Sequence, residues 1–498
     1  MYYSKERERT CSLQDFGEAE PYNASTLAWA HGAVVASLNY RVGPFGFLAF
    51  SEDAASGART GNWASTDVDA ALVFLRREVA AFGGDASRLT LFGQSSGASL
   101  ALLHAVLPGS SGLFEGVLSQ SGSLGAASLA DASETTRTLA SYLNCTTTVK
   151  ACMLERSAAD LVYAQGVECF TPNNCAARTS WAPTVDGVAL PKDPRHLVAE
   201  GLANDVDVAL GANTNDSYLF VMSRGPLPRR AYEAALRDLA EGDEQHSAQL
   251  LALYPPSANP LADNVASLGW ASSDSMLCGL GRLARAFAKF GRKGRVKLYR
   301  YNWWFQSTTQ CKAVANWHPP EYGSMHQDEV SFVFGQPIFM NLGYTNCSAS
   351  FHHPSACATH VPPLSLTRNE ARRERSPAFS RGELLLRATL FSLFLRGETT
   401  LQAAGWPGYD PSCLGCVFDE TEAAFSRAVG RLWTNFAAGT NATTDDDQAE
   451  WPSIESDRNI LLEPTVSLRA DGEMRMRSEP ALGRADFCRV WDAIAQTH

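Results

Sequence analysis

The sequence predicts an α/β fold: a mostly parallel central sheet with helices on both faces. Three observations lead there. Strand-like and helix-like runs alternate through residues 33–125. The strand-like runs are short, apolar and followed by Gly-containing turns, as expected of strands buried on both sides. One of these turns, Gly93-Gln94-Ser95-Ser96-Gly97, stands where a strand passes into a helix. That is the context in which a Gly-x-Ser-x-Gly pentapeptide has a mechanism.

Taken in order, residues 33–40 (Ala-Val-Val-Ala-Ser-Leu-Asn-Tyr) read as a buried strand leading into the turn-rich Arg41–Gly46. A helix follows from about Ser65 to Ala81, with Ala70, Leu72, Val73, Leu75 and Val79 on its apolar positions, and Phe82-Gly-Gly-Asp85 ends it. Leu89–Phe92 reads as the strand before the pentapeptide. Ser96–Leu107 reads as the helix after it, closed by Pro108. Gly116–Gly122 is another strand reaching a Gly turn. Residues 126–205 are helical and loop-rich. Val206–Asn213 returns as a strand ending in polar residues, 228–253 and 276–291 read as amphipathic helices, and Val296–Asn302 as a further strand. Residues 338–415 are rich in Pro, His and Arg and include the mixed-charge run Arg368–Arg375, a solvated face. They read as an insertion on the body of one domain.

Composition narrows the function. Hydrophobic residues make up 45% and charged residues 19%, enough for a large core and unlike a disordered chain. The net charge of −11 comes without a basic stripe, which argues against nucleic acid or anionic lipid as partner. Twelve cysteines include the close pairs Cys145/Cys152, Cys169/Cys175, Cys347/Cys357 and Cys413/Cys416. Zinc is the competing reading, but only Cys413–Cys416 has Cys-x-x-Cys spacing, so no metal site is assigned. Sequons begin at Asn23, Asn144, Asn215, Asn346 and Asn441; with the cysteines they point to an oxidising, secretory compartment. The start, Met1–Arg9, nevertheless has no apolar core of a signal peptide. No apolar run has transmembrane length either; Glu383–Leu395 is too short and carries Arg387.

A serine hydroxyl is a poor nucleophile at neutral pH. It needs a base within reach, an acid to orient that base, and donors for an oxyanion. Ser95, lifted above the sheet by small neighbours and placed at a helix start, is the candidate nucleophile. The partners become recognisable through motifs. Asn39–Phe47, Ala81–Asp85, Phe92–Ala98, Gln120-Ser121-Gly122, Ala182–Gly187, Tyr322–Gly335, Leu432–Ala437 and Cys488–Asp492 together resemble the type-B carboxylesterase and cholinesterase family. The resemblance runs with gaps from about Phe16 to the C-terminus, leaving 1–15 as a lead segment. It implies the α/β-hydrolase fold over 16–498 and hydrolysis of small-molecule carboxylic esters through an acyl-enzyme, without metal or organic cofactor.

The resemblance also implies roles. His326, just before Phe-Val-Phe-Gly, falls on the family's base, with Gln327 where Gly is usual and His318 a distant second. Asp216 falls on the acid, one methylene shorter than the usual Glu, and Ser96 N–H on an oxyanion donor. Ser121 is expected to hydrogen-bond near the acid, and Arg41 and Asp67 to form an internal ion pair bracing the sheet. Gln94 replaces the Glu that commonly precedes the nucleophile, removing a negative charge beside the base. Cys278–Cys488 and Cys145–Cys152 resemble family disulfides, while Cys11 and Cys311 lack obvious partners. Asn215, beside the acid, is expected unmodified, and Trp181 and Trp270 are expected in the core and not in a choline site. The alternative is a catalytically silent binding or adhesion protein of the same fold.

One expected feature is missing. The family's His-Gly-Gly-Gly segment, which supplies most of the oxyanion hole, would fall on Thr10–Phe16, which has no such glycines. The chain is therefore expected to begin inside the domain. As written it is expected to be poorly soluble and nearly inactive, since losing an oxyanion donor costs about 10²–10³ in turnover.

Overall fold

A computed structural model of the chain describes residues 22–170, 181–222, 226–257, 264–290, 295–303, 323–335, 420–439, 458–464, 474–480 and 485–496. The expected insertion at 338–415, the lead segment 1–15, Thr10–Phe16 and His318 lie outside them, as do Cys11, Cys175, Cys311, Cys347, Cys357, Cys413, Cys416, Asn346, Asn441 and the side chain of Cys169.

Strands β1 (Thr90–Gln94), β2 (Gly116–Gln120), β5 (Asp207–Asn213), β6 (Val296–Tyr301), β7 (Arg458–Pro464) and β8 (Met474–Pro480) form one sheet in that order. The first five are parallel and β8 is antiparallel to β7. The short β3 (Ala127–Ser128) and β4 (Thr184–Val185) form a separate parallel ribbon. Six helices matter below: α1 (Trp63–Glu78), α2 (Ser96–His104), α3 (Val265–Phe290), α4 (Asp328–Phe334), α5 (Glu420–Ala437) and α6 (Ala485–Gln496).

Period-2 alternation along the buried strands sends neighbouring side chains to opposite faces. Val117, Leu210 and Leu298 join Leu102, Leu103, Leu280 and Phe287 on one side. Leu118, Ala209, Tyr299 and Tyr301 join Phe332, Phe425 and Trp433 on the other. Gly211 is dictated by this packing: a Cβ there would lie 2.3 Å from the ring of Tyr299, its partner in the β5–β6 register.

Two expectations need correction. Residues 33–40 are not a strand; Val34 is 46% exposed and these residues join no ladder among the described residues. Apolar composition marks a run that can be a strand, but only a paired neighbour makes it one, and among the described residues β1 pairs with β2 alone. The 228–253 run is two helices, Arg229–Leu239 and Glu244–Leu253, because Glu241 and Gly242 both adopt positive φ (54° and 84°), which a helix cannot continue through.

Both disulfides implied by the resemblance are present. Cys145–Cys152 closes a short loop, and Cys278–Cys488 joins α3 to α6. The second is reinforced by buried polar contacts: Trp491 Nε1 donates to Tyr254 Oη (3.2 Å), which donates to Asp274 Oδ2 (2.6 Å).

Candidate active site

The carboxyl ends of β1, β2 and β5 converge, and each contributes a group. Ser95 follows β1 directly at φ 57°, ψ −123°, a conformation that costs a non-glycine residue on the order of 1–3 kcal/mol. Its backbone N–H donates to Gln120 O (2.8 Å). Gly93 makes room for the turn: a Cβ there would stand 2.5 Å from the carbonyl carbon of Gly97. Ser96 is the first residue of α2, so its N–H points out of the helix terminus with the positive end of the dipole. Tyr40, whose phenol is pushed up by burial, is hydrogen-bonded to the side chain of Ser96. This bond ties residues 33–40 to the turn.

Asp216 and His326 are both buried and meet across 110 residues of chain: His326 Nδ1 and Asp216 Oδ1 are 2.5 Å apart. Asp216 Oδ2 accepts from Ser121 Oγ (2.5 Å) and from Asn213 N–H (2.9 Å). Ser121 can aim its hydroxyl there because the end of β2 curls to φ 56°. The two loops are zipped together by their backbones. His326 N donates to Asp216 O (3.2 Å), Asn215 N to Ser324 O (2.8 Å), and Asn213 Nδ2 to Met325 O. Gln327 sits at φ 78°, which explains why glycine is usual at this position.

Thus the structure brings together Ser95, Ser96, Gln94, Ser121, Asp216 and His326. Sequence reasoning did not single out Glu329, Gln120, Asn213 or Trp433, although three of them lie inside quoted motifs. Glu329 is fully buried; its carboxylate accepts from Asn213 Nδ2 (2.6 Å) and Gln120 Nε2 (3.2 Å), and Gln120 Oε1 accepts from Trp433 Nε1 (3.1 Å). Burial, and next the charge of Asp216, push the Glu329 carboxyl up to about 7. Phe220 packs its ring 4.8 Å from the imidazole of His326.

Arg41 and Asp67 form a bidentate pair (2.8–3.1 Å), yet the pair is not internal: the side chains are 49% and 26% exposed. The segment leading into it is itself only partly buried. Partial burial pushes the Asp67 carboxyl up, but hydrogen bonds from Arg41 outweigh it and hold it below the usual range. Such a pair contributes about 0–1 kcal/mol. Trp181 lies in the core and Trp270 is partly buried. Asn215 is fully buried, whereas Asn23 and Asn144 are exposed.

The ordered motifs and the sheet geometry agree with a comparison of sequences. A model of the Carboxylesterase family matches residues 13–352, a span that includes Ser95, Asp216 and His326. With more than half of its length matched, the chain belongs to the carboxylesterase family, and its sheet and helices are an α/β-hydrolase fold.

Proposed function

We propose that the protein hydrolyses small-molecule carboxylic esters by a serine acyl-enzyme route. Family membership supports ester hydrolysis. The observation that carries the finer reading is the buried Asp216–His326 contact lying beside the strained Ser95 turn.

In this reading Ser95 Oγ attacks the ester carbonyl carbon while its proton passes to His326 Nε2. Asp216, accepting at Nδ1, fixes the tautomer and stabilises the imidazolium. The carbonyl oxygen becomes an oxyanion facing the Ser96 N–H at the start of α2. Collapse breaks the bond to the alcohol oxygen, which takes the proton from His326 and leaves the acyl group on Ser95. Water then repeats the sequence: it gives a proton to His326, attacks the acyl carbon, and releases the acid with Ser95 reprotonated. Ser121 and Asn213 hold the Asp216 carboxylate in place.

The two disulfides suit an oxidising compartment, and a secretory location is part of the proposal. No helix among the described residues is long and apolar enough to cross a membrane.

The test is labelling by a fluorophosphonate, with the modified residue identified by peptide mass. Labelling at Ser95 that disappears in Ser95→Ala and is slowed in Asp216→Asn supports the reading. Correctly folded protein that takes no label would favour a silent binding protein instead.

A further inference from the structure

With Nδ1–H donated to Asp216, the second ring nitrogen of His326 carries the lone pair that must receive the Ser95 proton. That lone pair is already in use. Gln94 Nε2 lies 3.2 Å from His326 Nε2, in donor geometry, while among the described residues the Ser95 hydroxyl makes no hydrogen bond. An imidazole nitrogen has one lone pair in the ring plane, so two strong donors cannot share it.

We propose that Gln94 is a positioning residue that caps the base in the resting enzyme, so that attack by Ser95 requires the carboxamide to leave Nε2. This inference rests on the serine-hydrolase reading and adds a control to it. Residue type matters. A glutamate at position 94 has no hydrogen to give the neutral imidazole and would instead favour the imidazolium. A glutamine stabilises the neutral ring by donating to it and withholds it from Ser95. The cap is held from below because Gln94 is the last residue of β1, in register with Gln120. From the other side Phe220 packs on the ring and limits its swing. The charged groups near the imidazole are Asp216, in contact with Nδ1, Glu329 one turn further along α4, and Asp328, whose carboxylate is engaged by Met325 N–H. None of them reaches Nε2 in a described hydrogen bond, so Gln94 alone occupies it among the described residues.

The experiment measures the second-order rate constant of Ser95 labelling by a fluorophosphonate from pH 5 to 9, in wild type, Gln94→Met and Gln94→Ala. Methionine keeps the volume and removes the donor. One hydrogen bond of ordinary strength corresponds to roughly a three- to tenfold faster plateau rate in both variants. A simple packing defect would slow labelling instead. Plateau rates equal to or below wild type in the folded variants would overturn the cap. So would a crystal structure of unlabelled wild type with the Ser95 hydroxyl on Nε2 and Gln94 turned away, which decides the matter even if the variants misfold. Wild type that never labels at Ser95 defeats the hydrolase reading. Labelled wild type with unaccelerated variants defeats the cap alone.

Discussion

Replacing Glu329 with glutamine should remove a pH-dependent penalty from the fold. The carboxyl is fully buried and titrates at about 7, against 4.5 for the free side chain. Below pH 4.5 both folded and unfolded chains hold the proton, and no penalty exists. Between the two values the unfolded chain releases its proton first, so stability falls as pH rises; above 7 the penalty is complete. A shift of this size corresponds to about 3 kcal/mol. Glutamine resembles the protonated acid in shape, with one oxygen still able to accept from Asn213 or Gln120. The variant should therefore match or fall slightly below wild type at pH 5, then gain on it with rising pH. For a chain of this length the unfolding entropy is roughly 1 kcal/mol per kelvin, so the difference in Tm between variant and wild type should grow by about 3 °C from pH 5 to pH 8. Thermal scans of both proteins across that range check it. A difference that stays constant, or shrinks as pH rises, would refute the argument that Glu329 ionises at the expense of stability.

Asp216→Asn should lower kcat by about 10⁴, because an amide at this position favours the wrong imidazole tautomer; steady-state ester hydrolysis with active-site titration measures it. The two glycines around Ser95 should respond differently. Gly93→Ala forces a Cβ against the backbone of Gly97 and should abolish fluorophosphonate labelling, whereas Gly97→Ala, whose Cβ would meet Tyr40 Oη at 4.0 Å and no nearer described neighbour outside its own helix, should still label. Gln327→Gly should stabilise the protein by roughly 0.5–1 kcal/mol by relieving the positive φ, seen as a higher urea midpoint with labelling retained.

Much of the site was legible because its parts are local. A strand, a Gly-x-Ser-x-Gly turn and a helix are written in consecutive residues, and the structure places Ser95 between β1 and α2 accordingly. The contacts that assemble the site are not local. Nothing within residues 213–216 reveals that they zip against 324–326, since those bonds exist only once β5 and the loop before α4 are side by side. Gln94 shows the same limit: its type suggested an electrostatic change, but only geometry places its amide on His326. Residues 33–40 mislead for the converse reason, because their composition is that of a strand and yet they join no ladder among the described residues. Strands β7 and β8 went unread, with charged residues such as Arg458, Glu463, Arg475 and Arg477 interrupting their pattern.

The bond between Cys278 and Cys488 spans 210 residues, and so it also defines what proteolysis can do. A single cut anywhere between these cysteines severs the chain without releasing a fragment. The piece that ends in α6 stays fastened to the piece that contains Ser95 and Asp216. Such a nicked molecule would run as one band on a non-reducing gel and as two after reduction. Loss of activity on nicking could therefore be separated into a local injury, present before reduction, and a loss of tethering, present only after it.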